Sequence, residues 1–347
     1  MIPVIDAHND ALLRAWRSGE SLRDRSEDGH LDLPRMQEGG IAAGFFAIFV
    51  PEDDNAGDSR ANVVETEDGW EVAFPEPLEA GRGAAVAHEI VAIAERDLSV
   101  IRTVSDLERC LAGGEPGAIL HLEGAEPIEP DLGNFDAWIE RGVRSIGVVW
   151  SRPNAFGCGV PFRFPGTPDV GPGLSDAGLE LVRACNECGV VVDLAHLNER
   201  GFFDAASVTD APLVVTHAGA HALAPQPRNL LDAQLDAIGD SNGIVGVFFD
   251  VVMTRNDGEL IFDTPLDVIA SHVDYIAERI GIDHVALGSD FDGAVATPFD
   301  VTGLPLVTEA LLNAGLGQHD LELVMGKNTL HLLRDVLPPG NVQWMGE

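Results

Sequence analysis

The sequence predicts a single-domain (β/α)8 barrel. Eight short apolar runs rich in β-branched residues alternate with segments of helical periodicity. Strands this apolar, separated by helices, indicate a parallel sheet covered on both faces, and eight of them fit a closed barrel better than an open sheet. The length of 347 residues suits one such barrel with insertions. No GxGxxG or Walker sequence follows any run, which argues against a nucleotide-binding sheet.

The predicted elements follow one another in chain order without a linker or an internal repeat, so we predict one domain over residues 1–347. The predicted strands are Val4–Ala7, Ala42–Val50, Ala118–Leu122, Ser145–Trp150, Val190–Ala195, Leu213–Thr216, Ile244–Phe249 and His284–Gly288. The clearest helical patterns between them are Ala84–Arg96, Asp176–Cys188, Leu231–Ile238 and Leu266–Ile280.

Two segments depart from the strand and helix alternation. Residues 51–81 are rich in Asp and Glu and contain three prolines, which predicts a solvated surface excursion after the second strand or a lid over the barrel mouth. Residues 321–336 have the pattern of a closing helix, which the following Pro-Pro-Gly ends.

The charge of the chain restricts its partners. The 21 basic and 57 acidic residues give a formal net charge of −36, which repels phosphate backbones and anionic lipid. We therefore expect neither a nucleic-acid partner nor a membrane-surface partner. Lys327 is the only lysine. This composition fits adaptation to concentrated salt, where screening weakens self-repulsion, and it equally fits a genome that replaces lysine by arginine.

The chain shows no targeting segment and no disulfide framework. It enters an apolar strand at Ile2–Ile5, contains no run of 18 apolar residues and carries no C-terminal anchor signal, so we expect a soluble, cytoplasmic protein. Its four cysteines are too few for a disulfide scaffold. One Cys-x-x-Cys pair, Cys185 and Cys188, lies within a helical pattern and is weak evidence for a metal or redox site.

Histidines and carboxylates cluster at the ends of the predicted strands. A single histidine there is more often a hydrogen-bonded structural residue, and a single aspartate is commonly a helix N-cap. Six such residues at the ends of five strands are harder to explain in this way, because the carboxyl ends of barrel strands converge on the active-site face. The six are His8, Asp10, Glu123, His196, His217 and Asp290. Without Asp290, the set has three imidazoles and two carboxylates, which suit Zn²⁺, with Mn²⁺, Co²⁺ or Fe²⁺ as alternatives.

The chain resembles the renal (membrane) dipeptidase family of the amidohydrolase superfamily over residues 5 to about 335. The segments that carry the resemblance are His8-Asn9-Asp10, Asp32-Leu33-Pro34-Arg35, Leu122-Glu123-Gly124, Asp193-x-x-His196, Thr216-His217, Arg228-Asn229, Gly288-Ser289-Asp290-Phe291-Asp292-Gly293 and Gly326-Lys327-Asn328. The HxD, RN and DFDG motifs in this combination are specific.

The resemblance implies a binuclear zinc site with two ions per chain. His8 and Asp10 would bind one ion, His196 and His217 the other, and Glu123 would bridge them. The sequence supports a carboxylate bridge, because the only lysine, Lys327, lies after the eighth strand and cannot supply the carboxylated lysine that many amidohydrolases use. Asp290 is then free to transfer a proton, and Arg228 is implied to grip the terminal carboxylate of the substrate.

One position departs from the family. The family carries a histidine after the fourth strand that supports the substrate carbonyl, whereas this chain has Val149-Trp150-Ser151-Arg152. Trp150 or Ser151 occupies the place, depending on how the segments are aligned. This departure alters the support for the carbonyl oxygen and bears on the substrate range. From the resemblance as a whole we predict a dipeptidase, with a D-residue allowed at the C-terminal side of the substrate.

Alternative functions remain open. The first is an amidohydrolase acting on an N-acyl amino acid, a lactone or another small carboxylated amide. The second is a non-catalytic binding protein on a retired barrel, which is disfavoured because no ligand residue has been lost. A homodimer is the default symmetric assembly.

Overall fold

The computed structural model describes residues 2–52, 63–73, 76–79, 81–293 and 296–340. Its strands are β1 (Val4–Asn9), β2 (Ile41–Phe49), β3 (Val63–Glu65), β4 (Trp70–Val72), β5 (Ser99–Val100), β6 (Gly117–Glu123), β7 (Val143–Gly147), β8 (Arg163–Phe164), β9 (Val191–Asp193), β10 (Val214–Ala218), β11 (Ile244–Val247) and β12 (Val285–Leu287).

The main sheet is parallel and closes into a barrel. Its hydrogen-bonded neighbours follow the order β1-β2-β6-β7-β9-β10-β11-β12, and the short β5 adds to β6. The barrel closes at an isolated bridge between Asn9 of β1 and Phe291, four residues past the end of β12. Beside it the Asp10 amide donates to the Phe291 carbonyl at 2.7 Å, and the Asp290 amide donates to the His8 carbonyl at 3.0 Å. The predicted (β/α)8 architecture is confirmed.

Helices surround the barrel and connect its strands. They are α1 (Ala11–Ser18), α2 (Leu33–Gly39), α3 (Arg82–Asp97), α4 (Val104–Leu111), α5 (Phe135–Arg141), α6 (Asp176–Cys188), α7 (Glu199–Ala206), α8 (Asp232–Asp240), α9 (Asp267–Ile280), α10 (Leu304–Asn313), α11 (Gln318–Glu322) and α12 (Asn328–Val336). None of the helices in these described ranges is long and apolar enough to cross a bilayer.

Helix α6 illustrates how the sequence specifies an element. The Ser175 side chain accepts a hydrogen bond from the Gly178 amide and caps the first turn, and Gly189 ends the helix in the left-handed conformation at φ 65°. Cys185 lies on the buried face of α6, while Cys188 is exposed, and both are free thiols. The Cys-x-x-Cys pair is therefore divided between the core and the surface.

The closing helix is not continuous. Residues 318–336 form α11, a π-helical turn over Leu323–Lys327, and α12, and Gly326 within the turn has a non-helical backbone. A Cβ at Gly326 would lie 2.9 Å from the Pro3 carbonyl oxygen and 3.1 Å from the Ile5 amide. The helix is interrupted because the chain passes directly against the start of β1 at this point.

The excursion after β2 contains structure that its acidic composition does not predict. Residues 53–62, 74–75 and 80 lie outside the described residues. In the described part, β3 and β4 pair antiparallel, and β4 pairs with β8 from the loop after β7. Trp70 of β4 is buried against Val251 and Val252, and its indole nitrogen donates to the Gly258 carbonyl at 2.7 Å. This small sheet therefore packs on the loop that follows β11.

A buried polar clasp joins the first and last strands beneath the site. Both oxygens of Asp6 accept hydrogen bonds from Ser289, one from its amide and one from its hydroxyl, each at 2.8 Å. The Asn9 side chain donates to Asp6 and to the Phe45 carbonyl, which extends the clasp to β2. These bonds fix the ends of β1 and β12, where several of the predicted site residues lie.

Candidate active site

Six predicted side chains meet at the carboxyl ends of the barrel strands, and each is at most 7% exposed. They are His8, Asp10, Glu123, His196, His217 and Asp290. One oxygen of Glu123 is central to the group. Glu123 Oε1 lies 3.2 Å from His196 Nε2, 3.7 Å from His8 Nε2 and 3.9 Å from His217 Nε2.

The second half of the group surrounds His8. Its Nε2 lies 3.4 Å from Asp10 Oδ2 and 4.0 Å from Asp290 Oδ1. Two sets of three residues have ligand atoms close enough together to hold one ion: His8 with Glu123 and His217, and His8 with Asp10 and Asp290. The two sets contain four of the five predicted ligands and place Asp290 at the same distance as the ligands. His196 belongs to neither set and joins the group through its 3.2 Å contact with Glu123 Oε1.

Local structure frees these side chains for chemistry. Asp10 occupies the N-cap position of α1, but its side chain makes no capping hydrogen bond, so the common structural explanation for an aspartate after a strand does not apply here. A Cβ at Gly293 would lie 2.5 Å from Asp290 Oδ1 and 3.0 Å from Asp10 Oδ2. A glycine at this position leaves room for both carboxylates.

Two of the six residues have a left-handed backbone. His196 has φ 64° and Asp290 has φ 61°. Each such non-glycine residue costs on the order of 1–3 kcal/mol, so the surrounding structure must hold it. The Val160 amide donates to the His196 carbonyl at 2.9 Å, and Asp290 is held by the bond from its own amide to the His8 carbonyl. Turning the chain at these points aims both side chains into the barrel mouth.

The donor set fits metal ions. Neither ring nitrogen of His8 has a hydrogen-bond partner, although both are buried, and such buried polar atoms are costly to leave unpaired. The Nε2 atoms of His196 and His217 lie 2.9 Å apart and face the same point. The three carboxylates of the group are buried, and the buried guanidinium of Arg228 lies near them. A cation among these atoms would satisfy the nitrogens and balance the charge.

Burial and mutual charge shift the pKa of each group. Burial lowers the pKa of His196 and of His217 well below the usual value, and the positive charges of Arg228 and His8 lower both further. Both imidazoles are therefore neutral and able to coordinate. Burial also disfavours a charged His8, but the carboxylates, Glu123 foremost, outweigh it and raise the His8 pKa to about 10. The charge excess that protonates His8 is one that a bound cation would neutralise.

Burial and mutual charge also shift the pKa of the carboxyl groups in the site. Burial, followed by the negative charge of Asp10, raises the pKa of Glu123 well above its usual range. Burial raises the pKa of Asp290 to about 7, against the opposing effect of His8. Metal-free, the centre holds more negative charge than it can stabilise.

Arg228 is a buried cation beside the cluster. It is 5% exposed, and its Nη2 donates to the His217 carbonyl at 3.1 Å. Its guanidinium carbon lies 6.0 Å from the centre of the Phe248 ring. Among the described residues it forms no ion pair, so most of its donors are available to an anionic group.

Trp150 and Ser151 differ in their access to the site. Trp150 is half-buried, and its ring centre lies 5.9 Å from that of His196 and 5.5 Å from that of Phe162. Ser151 is fully buried, and its Oγ lies 2.8 Å from His196 Nδ1. Trp150 is the more exposed of the two and lies beside the group, whereas Ser151 contacts the predicted ligand His196.

The sequence does not predict the residues that pack around Trp150. The Arg152 guanidinium is fully buried, pairs with Glu126 Oε1 at 2.7 Å and lies 5.4 Å from the Trp150 ring centre and 5.2 Å from that of Phe49. Phe162, from the loop that leads into β8, packs its ring 6.1 Å from His196. An arginine among apolar residues gives no signal of burial in the sequence, and Phe162 is brought close only by the small sheet.

Known proteins share this fold and sequence pattern. The family model of the membrane dipeptidases, peptidase family M19, matches residues 1–339. A metallopeptidase of Rhodobacter sphaeroides, solved with a phosphinate mimic of the dipeptide L-Ala-D-Ala, superposes with a TM-score of 0.90 at 41% identity, covering 96% of this chain and 99% of its own.

Sequence relatives agree. An uncharacterised protein in the PQQ-III 3′ region of Acinetobacter calcoaceticus is 38% identical over 298 residues, which are 80% of this chain and 90% of that protein. The dipeptidase tcpJ of Claviceps purpurea is 27% identical over 343 residues, which are 95% of this chain and 76% of that protein. The chain belongs to the membrane dipeptidase family, peptidase family M19, and is a metal-dependent dipeptidase.

Proposed function

We propose that the chain hydrolyses small dipeptides at a centre that holds two zinc ions. The observation that carries this proposal is the position of Glu123 Oε1, within 3.2–3.9 Å of an Nε2 atom from each of three histidines. A carboxylate in this position is suited to bridge two cations. Mn²⁺, Co²⁺ or Fe²⁺ would accept the same mixed nitrogen and oxygen donors.

The five ligands divide between the two ions. His8 and Asp10 would hold one ion, His196 and His217 would hold the other, and Glu123 would contribute to both. The neutral state that burial imposes on His196 and His217 leaves both imidazoles able to coordinate, whereas His8 would release its proton when an ion binds. When bound, such a pair of cations would lower the pKa of a shared water and polarise the scissile carbonyl.

Asp290 transfers the proton during the reaction. Its Oδ1 faces the half of the centre around His8, and five other side chains already serve as ligands. In this position it accepts a proton from the attacking water and returns it to the leaving amine. Burial within the barrel mouth keeps bulk water away from that transfer.

Arg228 sets the direction of the substrate. Its buried guanidinium, which forms no ion pair with any described residue, is suited to paired hydrogen bonds with the free carboxylate of a dipeptide. The phosphinate mimic of L-Ala-D-Ala bound by the Rhodobacter sphaeroides protein supports a substrate with a D-residue on the carboxylate side. We therefore propose that this chain accepts such dipeptides.

One observation favours a second candidate reaction. Trp150 faces His196 where the family has a histidine, so no cationic side chain at this position supports the carbonyl oxygen. An amide or lactone whose carbonyl oxygen needs less support at this position, such as an N-acyl amino acid, would still bind Arg228 through its carboxylate. The two candidates share the metals and differ in the substrate.

The test combines metal content with substrate range. Protein purified without chelator is expected to contain close to two transition-metal ions per chain, and to cleave dipeptides faster than N-acyl amino acids and lactones. Metal-free protein that zinc does not activate would refute the proposed centre. Preference for the acyl amino acids would select the second candidate. Light scattering tests the accompanying prediction of a homodimer.

Replacing Arg228 by methionine is expected to impair substrates with a free carboxylate selectively. Losing a charge-assisted hydrogen bond in a buried site costs about 1.5–3 kcal/mol, which is roughly a ten- to hundredfold fall in kcat/KM. The corresponding dipeptide amides should change far less. Arg17→Met on the exposed face of α1 is the matched control. Equal losses on acids and amides would show that Arg228 does not hold the carboxylate.

Replacing Trp150 by histidine is expected to raise dipeptide turnover. The indole cannot provide a cationic donor to the carbonyl oxygen, so the wild-type enzyme should be slower on ordinary dipeptides than its family. A correctly placed donor contributes about 10²–10³ in a preorganised site, and we expect a gain of about tenfold from an unrefined one. Trp150→Phe is the control for size. A gain in the phenylalanine variant as large as in the histidine variant would assign the effect to bulk.

A further inference from the structure

The two histidines on the β9 and β10 side each have a hydroxyl group at the ring nitrogen that faces away from Glu123. Thr216 Oγ1 lies 2.9 Å from His217 Nδ1, and Ser151 Oγ lies 2.8 Å from His196 Nδ1. Both hydroxyls are fully buried, so water does not compete for these bonds. The direction in which each hydroxyl donates decides which nitrogen of the neighbouring imidazole carries the proton.

The direction is fixed at His217. Thr216 Oγ1 donates to Asp193 Oδ2 at 2.7 Å, because a carboxylate can only accept. The hydroxyl has one hydrogen, so towards His217 it must accept, and His217 Nδ1 carries the proton. The lone pair of His217 is then on Nε2, the atom that faces Glu123 and His196. Asp193 is itself held, since its Oδ1 accepts from the amides of Thr216 at 2.9 Å and Ala195 at 3.0 Å.

The direction is not fixed at His196. Within the described part of the chain, Ser151 Oγ has no second hydrogen-bond partner, so its hydroxyl can donate to or accept from His196 Nδ1. Without metal, a hydrogen bond across the 2.9 Å between the two Nε2 atoms needs the proton of His196, because His217 offers a lone pair there, and Glu123 Oε1 lies 3.2 Å from the same His196 nitrogen. Without metal, His196 therefore carries its proton on Nε2 and accepts from Ser151. To coordinate, it must carry the proton on Nδ1 and donate to Ser151.

We propose that Asp193 and Thr216 lock His217 permanently in its metal-binding tautomer, whereas Ser151 lets His196 change tautomer when metal binds. Asp193, Thr216 and Ser151 are positioning residues that act through the two histidines. The inference rests on the proposed metal centre. It predicts that the two histidines differ before metal binds. His217, which is held through Thr216 by Asp193, already has the metal-binding tautomer, whereas His196 changes its tautomer when metal binds.

Three variants separate the lock from the adaptable partner. Thr216→Val keeps the shape of the side chain and removes the hydroxyl. Asp193→Asn is nearly isosteric, but its amide nitrogen can donate to Thr216, which turns the hydroxyl towards His217 Nδ1 and forces the proton onto Nε2. Ser151→Ala leaves His196 Nδ1 without its partner. Ser145→Ala is the matched control, because Ser145 Oγ makes the same kind of bond, at 2.9 Å, to Nδ1 of the buried non-ligand His121.

The measurement is the zinc affinity of the metal-free protein, by competition with a chromophoric chelator, together with the absorption spectrum of the cobalt-loaded form. Loss of a partner behind a metal-ligating histidine typically costs 10–100-fold in affinity, so we expect Thr216→Val and Asp193→Asn to lose about that much and Ser151→Ala about tenfold. Thr216→Ser should restore affinity, and Ser145→Ala should leave it unchanged.

Several outcomes would overturn the inference. They are wild-type affinity in folded Asp193→Asn, failure of folded Thr216→Ser to recover affinity, or an equal loss in Ser145→Ala. If Thr216→Val does not fold, Asp193→Asn and Ser151→Ala decide the question. Failure of the wild-type protein to bind zinc would instead refute the proposed centre itself, so the two failures are distinguishable.

Discussion

Asp290→Asn is expected to lower kcat for dipeptides by a factor of about 10² to 10⁴ while leaving the metal content nearly unchanged. Asparagine has the shape of aspartate but cannot accept a proton from the attacking water. The variant distinguishes two roles that the geometry allows, because Asp290 Oδ1 lies 4.0 Å from His8 Nε2 and shares a possible ion site with His8 and Asp10. A base can be lost without the metal, whereas a ligand cannot.

The pH dependence gives a second readout for the same residue. In the metal-free chain, burial raises the pKa of Asp290 to about 7. Bound cations favour the carboxylate form, so the acid limb of kcat/KM in the loaded wild-type enzyme is expected below pH 7. The residual activity of Asp290→Asn should lack this limb, because asparagine does not titrate.

The measurement pairs steady-state kinetics with metal analysis of the same sample. Asp24→Asn, the same change at an exposed position, is the control. Loss of metal from Asp290→Asn would make Asp290 a ligand, and full activity with full metal content would leave the proton transfer to another group.

The barrel and the positions of the site residues could be predicted because both depend on local patterns. Each strand is a short apolar run, and a histidine or carboxylate at its carboxyl end must face the same rim in a closed barrel. His8 and Asp10 illustrate this: the strand alternation predicts that both face the barrel, and Asp10 does so from the residue directly after β1. The predicted strand boundaries differ from the observed ones by up to three residues, because the strand ends carry the polar residues that break the pattern.

The remaining features depend on contacts between residues far apart in the sequence. The pairing of β4 with β8 brings Trp70 and Phe162 towards the barrel mouth, yet neither segment has the length or alternation that would identify it as a strand. The place of Ser151 in the sequence predicts a contact with the substrate. Its contact with His196 Nδ1 requires the left-handed turn at His196, and the sequence gives no sign of that turn.

Glu123→Gln is expected to remove at least one metal ion and nearly all activity. The carboxylate offers two charged oxygens, and Glu123 Oε1 is within 4 Å of three imidazole nitrogens. A neutral amide has one acceptor oxygen and is a poor bridge between two cations. Metal analysis and turnover on the same preparation measure the effect. Two tightly held ions in the variant would show that Glu123 does not bridge.

The same substitution should have the opposite effect on the metal-free fold. Burial and the charge of Asp10 outweigh the attraction of His8 and raise the pKa of Glu123 well above its usual value, so the net effect of ionised Glu123 is to destabilise the folded metal-free chain. For a carboxyl with a raised folded pKa, stability is present at low pH and is lost as the pH rises through that pKa. Glutamine carries no such charge and does not titrate.

Metal-free Glu123→Gln should therefore unfold at a higher temperature than metal-free wild-type protein at about pH 8, and the difference should shrink at about pH 5, where Glu123 in the wild type is protonated. Zinc should reverse the order, because the wild type alone gains the full binding free energy. A variant less stable than the wild type without metal at both pH values would show that Glu123 supports the fold directly. The opposed signs with and without zinc are what identify a residue whose charge serves the metal and not the fold.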